Sequence, residues 1–229
     1  MLKAELREVQ RGGIARVVEG DGRRRRFRPW IGGPFAFIYD FTMKRHVFWR
    51  QFGTDIDRHE AILNELLSGV HGWRVLEIAA GTGSAAGFLP PDNRYTGTDI
   101  SPGLLKRAVK RFRKAGFTEA RFYVADAGEL PFAEESFDLC LCFLSLNFFP
   151  DIPASVGEAA RVLRQGGIYI GAVPVPERKP QGSTIRGTLL SAGQLAELFE
   201  SSGFEFSAHP AENGALLYFT ALRAPAAHS

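Results

Sequence analysis

The chain has 229 residues, 45 % hydrophobic and 23 % charged, enough to bury the core of one large α/β domain with modest additions. No apolar run reaches membrane-spanning length and the opening MLKAELREVQRGG lacks the apolar stretch of an export signal, so a cytoplasmic protein is expected. The net charge of +3 hides an asymmetry: residues 1–50 hold 12 Lys and Arg against 5 Asp and Glu, and the remainder is net acidic.

Taken in chain order, residues 1–33 read as a basic arm or a small hairpin. Ile14–Val18 and Arg25–Phe27 are its candidate strands, about the turn Glu19-Gly20-Asp21-Gly22. The run Arg23, Arg24, Arg25, Arg26 either meets an anionic partner, such as a membrane surface, an anionic substrate or a nucleic acid, or is simply solvated. Residues 34–70 read as an aromatic-rich helical lid. It carries Phe35, Phe37, Tyr39, Phe41, Phe48, Trp49 and Phe52, then an amphipathic helix over Asp57–Leu67 that Gly69 ends.

From residue 71 to 229 strands and helices alternate. Strands are predicted over Trp73–Ala79, Tyr95–Asp99, Ala120–Ala125, Phe137–Leu144 and Ile168–Val173. Helices are predicted over Pro102–Ala115, capped by Ser101, over Ala154–Leu163, stopped by Gly166-Gly167, and over Ser191–Ser202. This rhythm predicts an α/β fold, a parallel sheet with helices on both faces. Phe204–His209 and Leu216–Leu222, joined at Glu212-Asn213-Gly214, read as an antiparallel hairpin. Cys140 and Cys142 have no partners at metal-ligand spacing and read as small buried hydrophobes, so no metal site is expected.

Three acids fall at the ends of three predicted strands. Glu77 precedes the turn Gly81-Thr82-Gly83, where glycines let backbone approach a ligand and a following helix offers free N–H groups. Asp99 ends the second strand and suits a ribose diol; Asp126 follows the third and suits an adenine amino group. Ligands of open α/β sheets bind at these strand ends.

The stretches VLEIAAGTGS (75–84), YTGTDISPGLLKRA (95–108), ADAGELPFAEESFDLCLCFLSL (125–146) and EAARVLRQGGIYI (158–170) resemble the class I S-adenosylmethionine-dependent methyltransferases, within them the quinone-biosynthesis and small-molecule group. The resemblance implies a Rossmann-like, mostly parallel seven-stranded sheet with a C-terminal antiparallel hairpin. It implies S-adenosylmethionine as cofactor. Gly81 and Gly83 would pass under its methionine part, and Glu77 would orient that loop or reach the amine through water. Asp99 would bind the ribose with Ile100 packed on the adenine, and Asp126 and Ala127 would hold the adenine edge. Leu144 and Ser145 would lie near the methionine end, and Ala79, Thr82 and Ser101 complete the set. Ala79 departs from the pattern, which most often has glycine there.

Methyl transfer leaves the protein to position, desolvate and sometimes deprotonate. The candidates for such work are Asn147, in Asn147-Phe148-Phe149-Pro150, Tyr39, whose ring suits a sulfonium, and His46 as a base. A Phe-rich lid suits a small apolar or amphiphilic acceptor of lipid, quinone or secondary-metabolite type. Alternatives are an RNA or protein methyltransferase docking through the basic arm, and a non-catalytic cofactor-binding protein. Gly81-x-Gly83-x-x-Ala86 also fits the dinucleotide fingerprint of a nicotinamide-dependent oxidoreductase.

Overall fold

The computed structural model describes residues 2–4, 6–18 and 43–225. Nine strands form one sheet: β1 (Arg7–Arg11), β2 (Ile14–Val18), β3 (Arg74–Ile78), β4 (Arg94–Asp99), β5 (Arg121–Val124), β6 (Phe137–Phe143), β7 (Leu163–Pro174), β8 (Phe204–Ala208) and β9 (Leu216–Arg223). Their order is β1-β2-β5-β4-β3-β6-β7-β9-β8. The block β5-β4-β3-β6-β7 is parallel, and β9 and β8 close it antiparallel. The seven expected strands are present, and the N-terminal hairpin adds two. That hairpin pairs Arg7–Arg11 with Ile14–Val18 about Gly12-Gly13, both at positive φ, so Ile14–Val18 turns back on the segment before it rather than on Arg25–Phe27. Arg25–Phe27, with the turn Glu19–Gly22, lies outside the described residues.

Four α-helices follow the sequence signals: α1 (Ile56–Leu67), α2 (Pro102–Lys114), α3 (Ile152–Val162) and α4 (Ala192–Ser201). Asp55, Ser101, Asp151 and Ser191 cap them, each accepting a backbone N–H of the first turn. A π-type helical segment, Met43–Phe52, precedes α1. One core lies on the face that holds Val75, Tyr95 and Leu141, against α1, α2, Phe48 and Phe52. The other holds Leu76, Cys140 and Cys142, against α3 and α4. Both thiols are buried, and burial pushes Cys142 up to about 12, so neither is reactive.

Two boundaries differ from the sequence reading. Helix α3 stops at Val162 and β7 starts at once at Leu163. Gly166-Gly167 therefore sits inside β7, in an irregularity where two steps along β6 (Phe137 to Leu139) are matched by five along β7 (Leu163 to Ile168). The second is Asn213-Gly214: a tight turn is present, with Leu216 N–H donating to the Asn213 carbonyl at 3.1 Å, but it does not close the β8–β9 hairpin. Pairing of β8 with β9 ends at Ala208↔Phe219, and the residues between run back to the helical segment. There Ala215 N–H donates to the Phe52 carbonyl at 2.7 Å, and a Cβ on Gly214 would stand 2.0 Å from that oxygen.

Candidate active site

The C-terminal ends of β3, β4, β5 and β6 bring the sequence-selected residues to one edge of the sheet. Leaving β3, the chain takes positive φ at Ala79 (57°), Gly81 (54°) and Gly83 (79°). Alanine at the first of these carries strain that glycine escapes. The two glycines serve different ends. A Cβ on Gly83 would meet Ala108 of α2 at 2.8 Å, so its bareness seats the loop on the helix. A Cβ on Gly81 would meet only the Ala79 carbonyl at 3.9 Å, so the backbone there faces open space. The expected helix after the loop is a four-residue 3-10 turn, Ser84–Gly87, too short to present a helix terminus to a ligand. The loop is held instead by side-chain and strand contacts.

Asp99 supplies the main one. One of its oxygens accepts the Gly81 N–H at 3.0 Å and the other the Ser101 N–H at 2.8 Å. Burial pushes its pKa up, and those two N–H groups pull against it. Each oxygen keeps a second lone pair for a ligand. The next residue, Ile100, is a large apolar side chain left 38 % exposed beside the loop. Ser101 spends its hydroxyl capping α2, accepting Leu104 N–H at 3.4 Å. Thr82 is buried and accepts from Arg111 at 3.4 Å.

Glu77 lies directly opposite Gly97 of β4. It is buried and accepts the hydroxyl of Tyr95. A Cβ on Gly97 would stand 2.9 Å from that hydroxyl, so the glycine makes room for the pair. Burial raises Glu77 to about 8; the Tyr95 hydrogen bond opposes the rise and the neighbouring Asp99 adds to it. At neutral pH Glu77 is thus mainly a neutral acid behind the loop. The sequence reading missed Tyr95 and Gly97, although a glycine inside a strand is a signal for close approach.

Asp126, half-buried beyond β5, accepts Gly128 N–H at 2.8 Å through one carboxylate oxygen; Ala127 packs against the core beneath. Leu144, at φ 58°, donates its N–H to the Ala172 carbonyl at 2.7 Å as the chain leaves β6. Ser145 donates to Phe143 O. Asn147 is 2 % exposed, and its amide donates to the Arg186 carbonyl at 2.6 Å. Its Oδ1 has no partner among the described residues. The contact holds the segment 183–188, whose other end is tied to Gln51 through Ser183 and Thr184. Of the other two candidates, Tyr39 lies outside the described residues, as do Arg23, Arg24, Arg25 and Arg26; His46 sits on the helical segment with its side chain outside them.

Residues 76–171 match the family described as a methyltransferase domain. Over these residues the chain is similar to S-adenosylmethionine-dependent methyltransferases. A phthiotriol/phenolphthiotriol dimycocerosates methyltransferase of Mycobacterium leprae is 36 % identical over 99 residues, 42 % of this chain and 36 % of that protein. A ubiquinone/menaquinone biosynthesis C-methyltransferase, UbiE, of Rickettsia massiliae is 30 % identical over 154 residues, 57 % of this chain and 62 % of that protein. The chain therefore spans less than two thirds of the length of these curated relatives. The crystal structure of the YcgJ protein of Bacillus subtilis superposes with a TM-score of 0.61 at 16 % identity, covering 74 % of this chain and 99 % of that one, a likeness of fold. The methyltransferase family match sets aside the nicotinamide-dependent alternative.

Proposed function

We propose that the chain transfers the methyl group of S-adenosylmethionine to a small apolar or amphiphilic acceptor. One observation carries the cofactor half of this reading: Asp99 is bound to the Gly81 N–H, next to a backbone surface that faces open space and an exposed Ile100. The residues fit the cofactor's parts. Open backbone at Gly81 suits the methionine chain, the spare lone pairs of Asp99 a ribose diol, Ile100 an adenine face, and the second oxygen of Asp126 its amino group.

S-adenosylmethionine brings an activated methyl on a sulfonium, so the protein has little bond chemistry to perform. Asp99 fixes the loop against β4, and Tyr95 keeps Glu77 beneath it. A neutral Glu77 ionises more readily when a cationic ligand arrives, because the positive charge offsets its burial. The apolar acceptor is supported by the names of the lipid and quinone methyltransferases that the domain resembles.

The test is to incubate the protein with methyl-labelled S-adenosylmethionine and a cell extract divided into lipid, small-molecule, RNA and protein fractions. The reading expects label in the lipid or small-molecule fraction and its loss in Asp99→Ala. Label confined to RNA or protein would overturn the acceptor class.

A further inference from the structure

The connection from β5 to β6, residues 125–136, contains no helix. On the face that holds Tyr123, the starts of β4 and β5 are covered by the N-terminal segment instead. Leu2 bridges to Phe132, and Lys3 N–H donates to the Pro131 carbonyl at 3.0 Å. A segment of extended chain fills less space than a helix, and a cavity of about 520 Å³ remains beneath it. It lies at the N-terminal ends of the strands, the opposite end from the glycine loop. We propose that this cavity is a second ligand site, which takes a small phosphate monoester with an apolar or aromatic body.

Strand register explains the charge. Arg74 and Arg94 are direct partners at the first positions of β3 and β4, and Arg121, at the first position of β5, pairs with Thr96. All three guanidinium-bearing residues therefore share one face of the sheet, and all line the cavity with Lys3. Two carboxylates, Glu8 and Glu119, line it too, and Arg74 is balanced by Asp138, so among the described residues the four cations exceed the acids by one. Glu8 is held by the Tyr123 hydroxyl at 2.9 Å. Glu119 pairs with Arg94 at 3.2 Å, with both side chains more than 60 % exposed, a pair that a stronger anion displaces at little cost. Arg74 is committed to Asp138 by two bonds, which hold its fork and balance its charge. Arg94, Arg121, which also touches the Tyr123 hydroxyl, and Lys3 are the cations that meet the anion.

With Glu119 displaced, Arg94, Arg121 and Lys3 exceed Glu8 by two charges, which suits a phosphate monoester at about −1.5 to −2 at pH 7, and planar guanidinium groups bind phosphate oxygens in pairs. Leu2, Leu6, Phe132 and Phe137 add apolar surface beside Thr96 and Tyr123. Phe132 and Phe137 are already buried, but Leu2 and Leu6 are half-buried, and an apolar or aromatic body covers what inorganic phosphate alone would leave in water. The volume is within the roughly 300–1,000 Å³ range of small-molecule sites.

Phenyl phosphate, inorganic phosphate and phenol, each titrated calorimetrically into the full chain at constant ionic strength, test the site. Phenyl phosphate is expected to bind saturably, tighter than inorganic phosphate, with phenol giving no binding. Arg94→Ala/Arg121→Ala is expected to weaken it at least tenfold and to leave S-adenosylhomocysteine binding unchanged, which also shows that the variant is folded. Absence of saturable binding, unchanged affinity in the double variant, or competition between phenyl phosphate and S-adenosylhomocysteine would each overturn the proposal. Equal affinity for inorganic and phenyl phosphate would remove the apolar body from it.

Discussion

Glu77 shows how one residue carries a cost that the site uses. Its ordinary pKa of 4.5 rises to about 8 in the fold, so the folded chain holds a proton there that the unfolded chain has lost. The sign follows: this group's contribution is fully present below pH 4.5 and is lost as pH rises toward 8. Glu77→Gln keeps an acceptor for Tyr95 and removes the titration. Urea unfolding at pH 5 and pH 8 is expected to show a wild-type decline between the two that is markedly smaller in the variant. An equal decline in both would mean that Glu77 is not the titrating group. The acids at the strand ends were legible in the sequence because loop and spacing mark them. Tyr95 was not, because only the pairing of β3 with β4 sets its hydroxyl beside Glu77.

At the scale of elements, a buried polar chain fastens α1 and the segment before it to β9 on the face of the sheet that α1 covers. His59 of α1 shares a hydrogen bond with the Tyr218 hydroxyl at 2.7 Å, Asn213 donates to the same oxygen at 2.7 Å, and Thr54 donates to Asn213. Burial lowers His59 from 6.5 to about 4, so it is neutral in the fold. Its stabilising share is present above pH 6.5 and is lost as pH falls toward 4, a difference on the order of 3 kcal/mol over the whole window. Between pH 7 and pH 4.5 the Glu77 contribution grows while that of His59 falls, so the test compares chains: the midpoint of His59→Gln is expected to gain on that of the wild type as pH falls. An identical pH dependence in the two chains would contradict the assignment.

A second element-scale prediction concerns β7. Gly171 lies under the ring of Phe219, which would come within 2.2 Å of an added Cβ. Gly171→Ala is expected to destabilise by about 1–3 kcal/mol through overpacking, read from the denaturation midpoint. An unchanged midpoint would show that the ring yields freely. Neither the polar chain nor this glycine contact was legible beforehand, since both join segments distant in sequence. The repeating strands and helices were legible, because caps and periodicity are local. The helix after the glycine loop was misread for the same reason: local signals opened it, and Ser84–Gly87 is all that the packing kept.

For the whole molecule, the sheet separates two sites by position. Acids and open backbone gather at the C-terminal strand ends, and cations gather at the N-terminal ends under the first residues of the chain. No helix among the described residues is long and apolar enough to cross a membrane. The domain architecture was readable because parallel strands need crossover connections and a terminal hairpin does not. Of the two extra strands, Ile14–Val18 was legible as a candidate and Arg7–Arg11 was not, because the composition there suits an arm as well as a hairpin.

If the loop after β3 and the acid ending β4 form the S-adenosylmethionine site, calorimetric titration of S-adenosylhomocysteine into the wild type shows saturable one-to-one binding. Asp99→Ala, shown to be folded by its unfolding transition, is expected to bind at least tenfold more weakly, through loss of a charge-assisted contact worth about 1.5–3 kcal/mol. No binding to the wild type, or equal affinity in the variant, would contradict this assignment.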